Sequence, residues 1–343
     1  MTMKNIPCQS NKMTNQTPPN PPIRRIVTGH DSNLNAIVKI DGPATNHKWP
    51  PHGMNCSTLI WYADQMPVEI WSDEDYGKRV VERQPVERGA RICVIDFEPS
   101  CPRMMHRTDT LDYVVCLSGE IDMELDDGAS VHMNAGDVMV QQGTNHSWVN
   151  NGHTTCRLGF VLLDGKSKPG AGETSLPPTI SNNLMGAPPN PPIRRIVTTH
   201  DENGRAIIAM DKTAENHKWS PRGSTSTLIW SSDECPAEIW TKEDFGARKL
   251  GTQPPPNGTR FTIMDLPSET PGRMHRTDTL DIIFVMDGKI DMGLDNGKSV
   301  TLNKGDVMVQ QGTNHSWDNS YKEPCRLAIV LIDGKVGALE NTA

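Results

Sequence analysis

The chain repeats itself over a distance the size of a domain. The thirteen letters "GDVMVQQGTNHSW" stand at residues 136–148 and again at 305–317, an offset of 169. From residue 106 to residue 148, 30 of 43 positions are identical to the stretch at 275–317. A period this long indicates a duplicated domain rather than a solenoid of short repeats. The sequence therefore predicts two copies of one fold.

The ends of the repeat suggest the domain boundaries. "PPNPPIRRIVT" begins at Pro18 and again at Pro188, and a stretch rich in Pro, Gly and Ser separates the copies. We expect two domains packed through their sheets, with residues 18–30 and 188–200 lying against the partner copy. The predicted division is a flexible tail at 1–17, a first domain at 18–167, a linker at 168–187, a second domain at 188–336 and a tail at 337–343.

The net charge limits the kinds of binding partner that we expect, and the cysteine pattern bears on the cellular compartment. The formal net charge is −8, with 42 Asp and Glu against 34 Lys and Arg, and no basic block stands out. We therefore expect a small-molecule substrate and neither nucleic acid nor a membrane as partner, with homo-oligomerisation left open. The first residues lack the apolar core of a signal peptide, and the eight cysteines form no CxxC pair. This favours a cytoplasmic protein with scattered buried thiols over a disulfide framework.

Within each copy the apolar residues recur with a period of two. "RICVIDF" (91–97) and "RFTIMDL" (260–266) alternate as strands do, and "DDG" (126–128) and "DNG" (295–297) are typical of hairpin turns. Only "SDEDYG" and its counterpart "TKEDFG" suggest a helical turn. Many short strands in domains of about 150 residues indicate an all-β, jelly-roll fold with a cavity that can hold a small ligand.

Two motifs in each copy resemble those of the cupins. "HRTDTLDYVVCLSGE" matches the first cupin motif, and "GDVMVQQGTNHSWVN" matches the second, with its glycine-ended turn followed by a histidine. The resemblance implies two tandem double-stranded β-helix (jelly-roll, cupin) domains, a bicupin similar to fungal biosynthetic cupins that are described as dioxygenases. It is specific for the fold and weak for the reaction, because cupins include oxygenases, decarboxylases, isomerases and non-enzymes. The matching positions are His106, Asp112, Gly119, Gly143, His146 and Asn150 in the first copy, and His275, Asp281, Gly288, Gly312, His315 and Asn319 in the second.

The site residues depart from the cupin pattern in two ways. Thr108 and Thr277 stand where cupins usually carry a second histidine, and aspartate replaces glutamate. If the strand runs unbroken from His106 to Asp112, the two side chains share a face, and His146 reaches the same cavity from the facing strand. Two histidines and one carboxylate form the ligand set of non-haem Fe(II) oxygenases. The predicted catalytic and metal-binding residues, for Fe(II) or another divalent metal, are His106, Asp112, His146, His275, Asp281 and His315.

Other roles for the same residues stay open at this point. Without a metal, a histidine hydrogen-bonded to Asp112 can act as a general acid or base. The first hypothesis is a non-haem metal-dependent oxygenase that modifies a small, aromatic or polyketide-like secondary metabolite. The second is a metal-free or redox-neutral lyase, isomerase or cyclase, and the third is a non-catalytic small-molecule-binding bicupin. The strand after the aspartate differs between copies, "YVVCLS" against "IIFVMD", so we expect the two pockets to prefer different ligands.

Overall fold

Strands in two matching sets make up most of the described part of the chain. The structure is a computed structural model that describes residues 18–50, 53–166 and 190–335; both predicted tails, the predicted linker and Cys8 lie outside these residues. The strands of the first half are β1 (Arg24–His30), β2 (Ala36–Pro43), β3 (His47–Lys48), β4 (Asn55–Ala63), β5 (Ala90–Phe97), β6 (Thr110–Ser118), β7 (Glu120–Leu125), β8 (Ser130–Asn134), β9 (Val138–Gln142), β10 (His146–Val149) and β11 (Cys156–Asp164). Those of the second half are β12 (Arg194–His200), β13 (Ala206–Thr213), β14 (His217–Trp219), β15 (Thr225–Ser232), β16 (Thr259–Leu266), β17 (Thr279–Asp287), β18 (Lys289–Leu294), β19 (Ser299–Asn303), β20 (Val307–Gln311), β21 (His315–Asp318) and β22 (Cys325–Asp333).

Each half builds a large sheet and a small one. In the first half the large sheet runs β13-β12-β9-β6-β11-β5-β4-β3, and the small sheet runs β10-β7-β8. The second half repeats this with β2-β1-β20-β17-β22-β16-β15-β14 and β19-β18-β21. Short 3₁₀ turns at Tyr76–Lys78 and Phe245–Ala247 fall where the sequence suggested helical turns. The predicted all-β fold of two jelly-roll domains is confirmed, and the predicted domain boundaries stay a prediction.

The two halves exchange their first hairpins. Strand β1 pairs in parallel with β20 of the second half, with Arg25 opposite Val307. Strand β12 pairs in the same way with β9 of the first half, with Arg195 opposite Val138. The β1–β2 hairpin therefore completes the second large sheet, and the β12–β13 hairpin completes the first. The expectation that the leading segments lie against the partner copy is confirmed for these strands.

The large sheets bury both of their faces, and one core joins them. Strands β6 and β11 are buried at every residue except the last, which explains their continuous apolar runs. The shared core includes Trp61, Tyr113, Trp230, Phe261 and Phe284 from both halves. Tyr113 stacks on Phe261 with ring centroids 5.1 Å apart, and its hydroxyl lies 2.8 Å from the hydroxyl of Thr259. A smaller core inside each half packs the large sheet against the small one.

Buried ion pairs between arginine and aspartate hold strands and turns of each half together. The guanidinium of Arg157 on β11 donates to both carboxylate oxygens of Asp96 on β5, at 2.7 and 2.8 Å. Arg25, on the exchanged strand β1, makes a two-point contact of 2.7 Å with Asp75. Asp75 also accepts the backbone N–H of Gly77 and so begins the 3₁₀ turn. Because these charges are buried, losing one partner of a pair would strongly destabilise the fold. The second half has the same contacts, Arg326 with Asp265 and Arg195 with Asp244.

The cysteines of the described residues are free thiols. The seven cysteines among the described residues are buried and form no disulfide. In the same part of the chain, no helix has the length and apolar character needed to cross a bilayer.

Phe261→Ala is expected to destabilise both halves together. Phe261 is fully buried in the shared core, and removing such a ring costs about 3–5 kcal/mol. Because the hairpins are exchanged, calorimetry should show one unfolding transition, shifted to lower temperature. Val80→Ala, at a fully exposed side chain, should leave the midpoint unchanged. Two transitions, of which only one shifts, would contradict this coupling.

Candidate active site

A cavity of about 320 Å³ opens between the sheets of the first half. Its walls are mostly aromatic and aliphatic, while its polar groups gather at the floor and at the mouth. A pocket of this kind suits a small, largely apolar molecule that a few polar groups orient. Apolar wall residues include Trp49, Ile95, Phe97, Trp148, Phe160 and Leu162.

Two histidines face each other at the cavity wall. His106 and His146 are joined by a pair of backbone hydrogen bonds of 2.9 and 2.8 Å, and their ring centroids lie 4.4 Å apart. Each Nδ1 contacts a backbone carbonyl two residues earlier, Met104 at 2.8 Å and Thr144 at 2.9 Å. A carbonyl only accepts, so each neutral ring carries its proton on Nδ1 and leaves the Nε2 lone pair free.

A glycine turn sets the direction of His146. Gly143 has φ of +56°, a left-handed conformation that favours glycine. A β-carbon at this position would also lie 2.6 Å from the Cδ1 atom of Ile239, a residue of the other half. The turn is therefore fixed both by its own backbone and by packing across the two halves. Gly312 repeats the arrangement against Ile70, at 2.7 Å.

Burial keeps the two imidazoles neutral. Burial lowers the pKa of His106 from its ordinary value, although the Met104 carbonyl opposes the shift. Burial lowers the pKa of His146 further, to about 3, with a smaller contribution from the nearby His106. At neutral pH the pair therefore presents lone pairs rather than positive charge.

Asp112 lines the same cavity but comes from a different sheet. Strand β6 begins at Thr110, and the three residues before it, 107–109, are not in a strand. Arg107 and Asp109 form an ion pair of 2.7 Å within this break. His106 lies before the break and pairs with β10 of the small sheet, whereas Asp112 belongs to the large sheet. The expectation of one unbroken strand from His106 to Asp112 is therefore wrong.

Burial changes the protonation of the aspartate. Burial raises the pKa of Asp112 to about 7, although the Thr110 hydroxyl and the charge of Arg91 oppose the shift. Its Oδ1 atom has no hydrogen-bond partner among the described residues. The directly opposite residue on β9 is Gln141, whose buried amide N and O also have no partner in the described part of the chain. Such groups are costly to bury, so this floor favours a polar atom of a ligand or water.

The second half repeats these groups with small differences. His275 and His315 have ring centroids 4.2 Å apart, and each Nδ1 contacts a backbone carbonyl at 2.9 Å. Burial lowers the pKa of His315 to about 4 and raises the pKa of Asp281 to about 7. Unlike Asp112, Asp281 accepts hydrogen bonds from the hydroxyls of Thr277, at 3.0 Å, and Thr279.

The residues present do not form a three-ligand metal site. The free Nε2 atoms of His106 and His146 are suitable ligands, and their Nδ1 contacts resemble those of metal-binding histidines. Thr108 replaces the third imidazole, and the break before Thr110 separates the carboxylate of Asp112 from the pair. Among the described residues, no three His, Cys, Asp or Glu side chains are grouped so that they could hold a metal ion. The arrangement of these residues thus differs from the predicted Fe(II) site in both halves.

The residues that follow Asp112 on β6 differ between the copies, but they do not line the cavity as expected. Tyr113, Val115 and Leu117 face the core that the two halves share, while Val114 and Cys116 pack into the core between the first half's own sheets. None of them is among the residues that line the described cavity. Alternation along a strand does not show which face of a sheet meets the partner half.

Two polar residues of the cavity wall, Arg83 and Arg91, were not predicted from the sequence. Arg91 begins the "RICVIDF" strand, and nothing in its alternation distinguishes a cavity arginine from a surface one. Arg83 lies in a segment without periodicity.

Comparison with known proteins finds similar sequences in fungi. A family model described as "Cupin domain" matches residues 93–163. The cupin-domain-containing oxidoreductase fogC of Aspergillus ruber is 33% identical over 145 residues, which are 41% of this chain and 71% of the relative. The phomopsin biosynthesis cluster protein C' of Diaporthe leptostromiformis is 32% identical over 148 residues, 41% of this chain and 78% of the relative. AerE from Microcystis aeruginosa, a solved structure, aligns over 91% of this chain and 97% of its own, with 11% identity and a TM-score of 0.43.

Replacing both aspartates should remove one component of the pH dependence of stability. A carboxyl whose pKa rises from 3.8 to about 7 on folding stabilises the fold fully below its unfolded pKa, and this contribution is lost as the pH rises through the folded pKa. Each pKa unit is worth about 1.4 kcal/mol. The unsubstituted protein should thus lose a few kcal/mol of unfolding free energy from these groups between about pH 4 and pH 7.

The variant Asp112→Asn with Asp281→Asn should lack this loss. Urea unfolding at several pH values, taken as the difference between the two proteins, isolates the aspartates from His146 and His315. These histidines act in the opposite direction, since their lowered pKa values stabilise the fold above about pH 6.5. Parallel stability curves for the two proteins would mean that neither aspartate has a raised pKa.

Proposed function

The chain belongs to the cupin superfamily, and from this premise we propose that it is a small-molecule-modifying bicupin oxidoreductase of secondary metabolism, with the first-half cavity as its active site. The relatives named as oxidoreductases and as biosynthesis cluster proteins support the reaction class and the setting. The observation that carries the proposal is the facing pair of His106 and His146, whose free Nε2 atoms adjoin an apolar cavity of about 320 Å³.

The site residues can hold and move protons at neutral pH. Neutral His146 has a lone pair on Nε2 that can accept a hydrogen bond from a substrate hydroxyl, while its Nδ1–H stays bound to the Thr144 carbonyl. Its pKa of about 3 makes it a weak base, so its role is to orient the substrate beside Asp112. Asp112, with a pKa raised to about 7 by burial, can donate a proton or accept one. General acid–base groups work best when their pKa lies near the operating pH. The aromatic walls exclude water and orient a flat substrate against these groups.

The sequence also predicts a more specific activity, that of a non-haem oxygenase that depends on Fe(II) or another divalent metal. Such an enzyme needs a third protein ligand beside the two imidazoles, and the described residues do not supply one in this arrangement. For this reason no step is assigned to a metal. The residues of the site transfer protons, and the electrons of an oxidation would go to an acceptor from solution, such as dioxygen.

A redox-neutral lyase, isomerase or cyclase is the second candidate. The combination of neutral imidazoles and a carboxyl with a pKa near 7 favours it, because such reactions need only a positioned acid and base. The two candidates differ in the products they form. An oxidoreductase changes the oxidation state of its substrate, whereas an isomerase or cyclase leaves its mass unchanged.

His146→Ala is expected to reduce turnover by about 10²-fold, the usual cost of a misplaced substrate, because the Nε2 atom that orients the substrate beside Asp112 is lost. Small aromatic and polyketide-like metabolites would be incubated with the protein in air, and the products identified by mass spectrometry. His132→Ala is the matched control, since His132 lies on the surface in contact with Asp122. Equal turnover by the His146→Ala variant and the unsubstituted protein would contradict the proposed site.

A separate measurement tests whether turnover depends on a bound metal. Protein purified without chelator or affinity tag would be analysed for iron and then compared with the double variant His106→Ala, His275→Ala. Full turnover by chelated, metal-free protein is expected if the proton-transfer groups are sufficient. Loss of bound iron and of turnover together in the double variant would instead support the oxygenase form.

A further inference from the structure

A buried guanidinium without a carboxylate partner lines the first-half cavity. Arg91 on β5 is 7% exposed, and its guanidinium donates to the hydroxyl of Ser57 at 3.0 Å and to the sulfur of Cys93 at 3.1 Å. Within the described residues it forms no ion pair at 4.0 Å or less, and its Nε has no hydrogen-bond partner. A buried charge is costly unless an opposite charge accompanies it. Arg91 therefore retains the capacity to bind an anion inside the cavity.

A second guanidinium stands at the mouth of the same cavity. Arg83 lines the opening, and partial burial together with the charge of Arg91 lowers its pKa. The charge of Arg83 also reaches the facing imidazoles, since it contributes to the lowered pKa of both His106 and His146. Two like charges placed this close repel each other, and a ligand anion between them would remove that cost.

The charges around the cavity have a surplus of cations. Lys48, Arg83 and Arg91 are the cationic residues of the wall, and Glu82 and Asp112 are the acidic ones. Burial raises the pKa of Asp112 to about 7, so this carboxyl is only partly ionised at neutral pH. Glu82 is exposed at the mouth and forms no ion pair among the described residues. The surplus stands out in a chain whose net charge is −8.

In the second half, backbone carbonyls bind the corresponding cationic groups. The residue that matches Arg83 is Thr252, and its backbone carbonyl accepts a hydrogen bond of 2.9 Å from Arg260, the counterpart of Arg91. The carbonyl of Leu250 likewise accepts from the ammonium of Lys218. The segment 250–252 thus satisfies by itself the cationic groups whose first-half counterparts face the cavity.

We propose that the first-half cavity binds a small, flat organic acid whose carboxylate pairs with Arg91 and Arg83, and that the second half does not. The planar fork of a guanidinium matches the two oxygens of a carboxylate. The apolar body of the acid packs against Trp148 and Phe160, and the carboxylate lies beside the His106–His146 pair. The inference rests on the proposed function, because it names the substrate class of the same cavity.

The first test compares benzoate with benzamide, which has the same ring and no charge. Both are titrated into the full chain by isothermal calorimetry at neutral pH. Benzoate should bind at one site per chain and at least about tenfold tighter than benzamide, as charge-assisted hydrogen bonds predict. Equal binding of the two probes, or two equivalent benzoate sites per chain, would overturn the proposal.

The second test assigns the binding to the two arginines. Arg83→Thr copies the residue of the second half at an exposed position, so the fold should be unaffected. It should weaken benzoate about 10- to 100-fold and leave benzamide unchanged. Arg91→Gln should have the same effect, with folding verified by its unfolding midpoint. Arg205→Thr removes an exposed arginine of the second half and is the control. Benzoate affinity that is unchanged by Arg83→Thr would contradict the assignment, even if Arg91→Gln does not fold.

These measurements are independent of catalysis. Selective benzoate binding combined with turnover that survives His146→Ala would contradict the proposed function and support the carboxylate site. Loss of turnover in His146→Ala combined with equal binding of benzoate and benzamide would support the proposed function and contradict the carboxylate site.

Discussion

The exchange of the first hairpins is the constraint on which the rest of the structure depends. Each large sheet would lack two of its eight strands without the other half. Packing between the halves also holds the turns, because Ile239 lies against the turn that precedes His146 and Ile70 lies against the turn that precedes His315. The direction in which each histidine points is therefore set partly by residues of the opposite half.

The candidate site combines opposite effects of burial on two kinds of acid. Burial lowers the pKa of His146 to about 3 and raises the pKa of Asp112 to about 7, because low polarity disfavours every charged form. At neutral pH the imidazoles are thus uncharged and Asp112 is only partly ionised, while positive charge lies nearby on Arg91 and Arg83. A substrate carboxylate held by the arginines would lie beside the neutral histidine pair.

Much of the fold could be predicted from the sequence, because period-two alternation and turn residues are local signals. "RICVIDF" and "DDG" are found as the expected strand and hairpin turn, and the glycine turn does direct His146. The strand continuing from His106 to Asp112 was wrong, since alternation does not show where the chain leaves one sheet for the other. The parallel pairing of β1 with β20 also had no local signal, because it joins residues nearly 300 positions apart.

Prediction of the site was limited for the same reason. His106, His146 and Asp112 were recognised through their motif positions, and all three line one cavity. Arg83 and Arg91 were not recognised, because nothing around them repeats or alternates in an informative way. Their importance depends on the absence of an ion pair within 4.0 Å among the described residues, and that is a property of the folded chain alone.

The exchanged hairpins have a consequence for how the duplicated copies can diverge. A single copy would have to obtain its missing strands from a second molecule, and in such a pair every substitution would alter both sites at once. Within one tandem chain the residues of each site are encoded separately, while each half still packs against the other. A mouth residue can therefore be arginine in one copy and threonine in the other, with the strand exchange intact, so one cavity is free to specialise while the other maintains the scaffold.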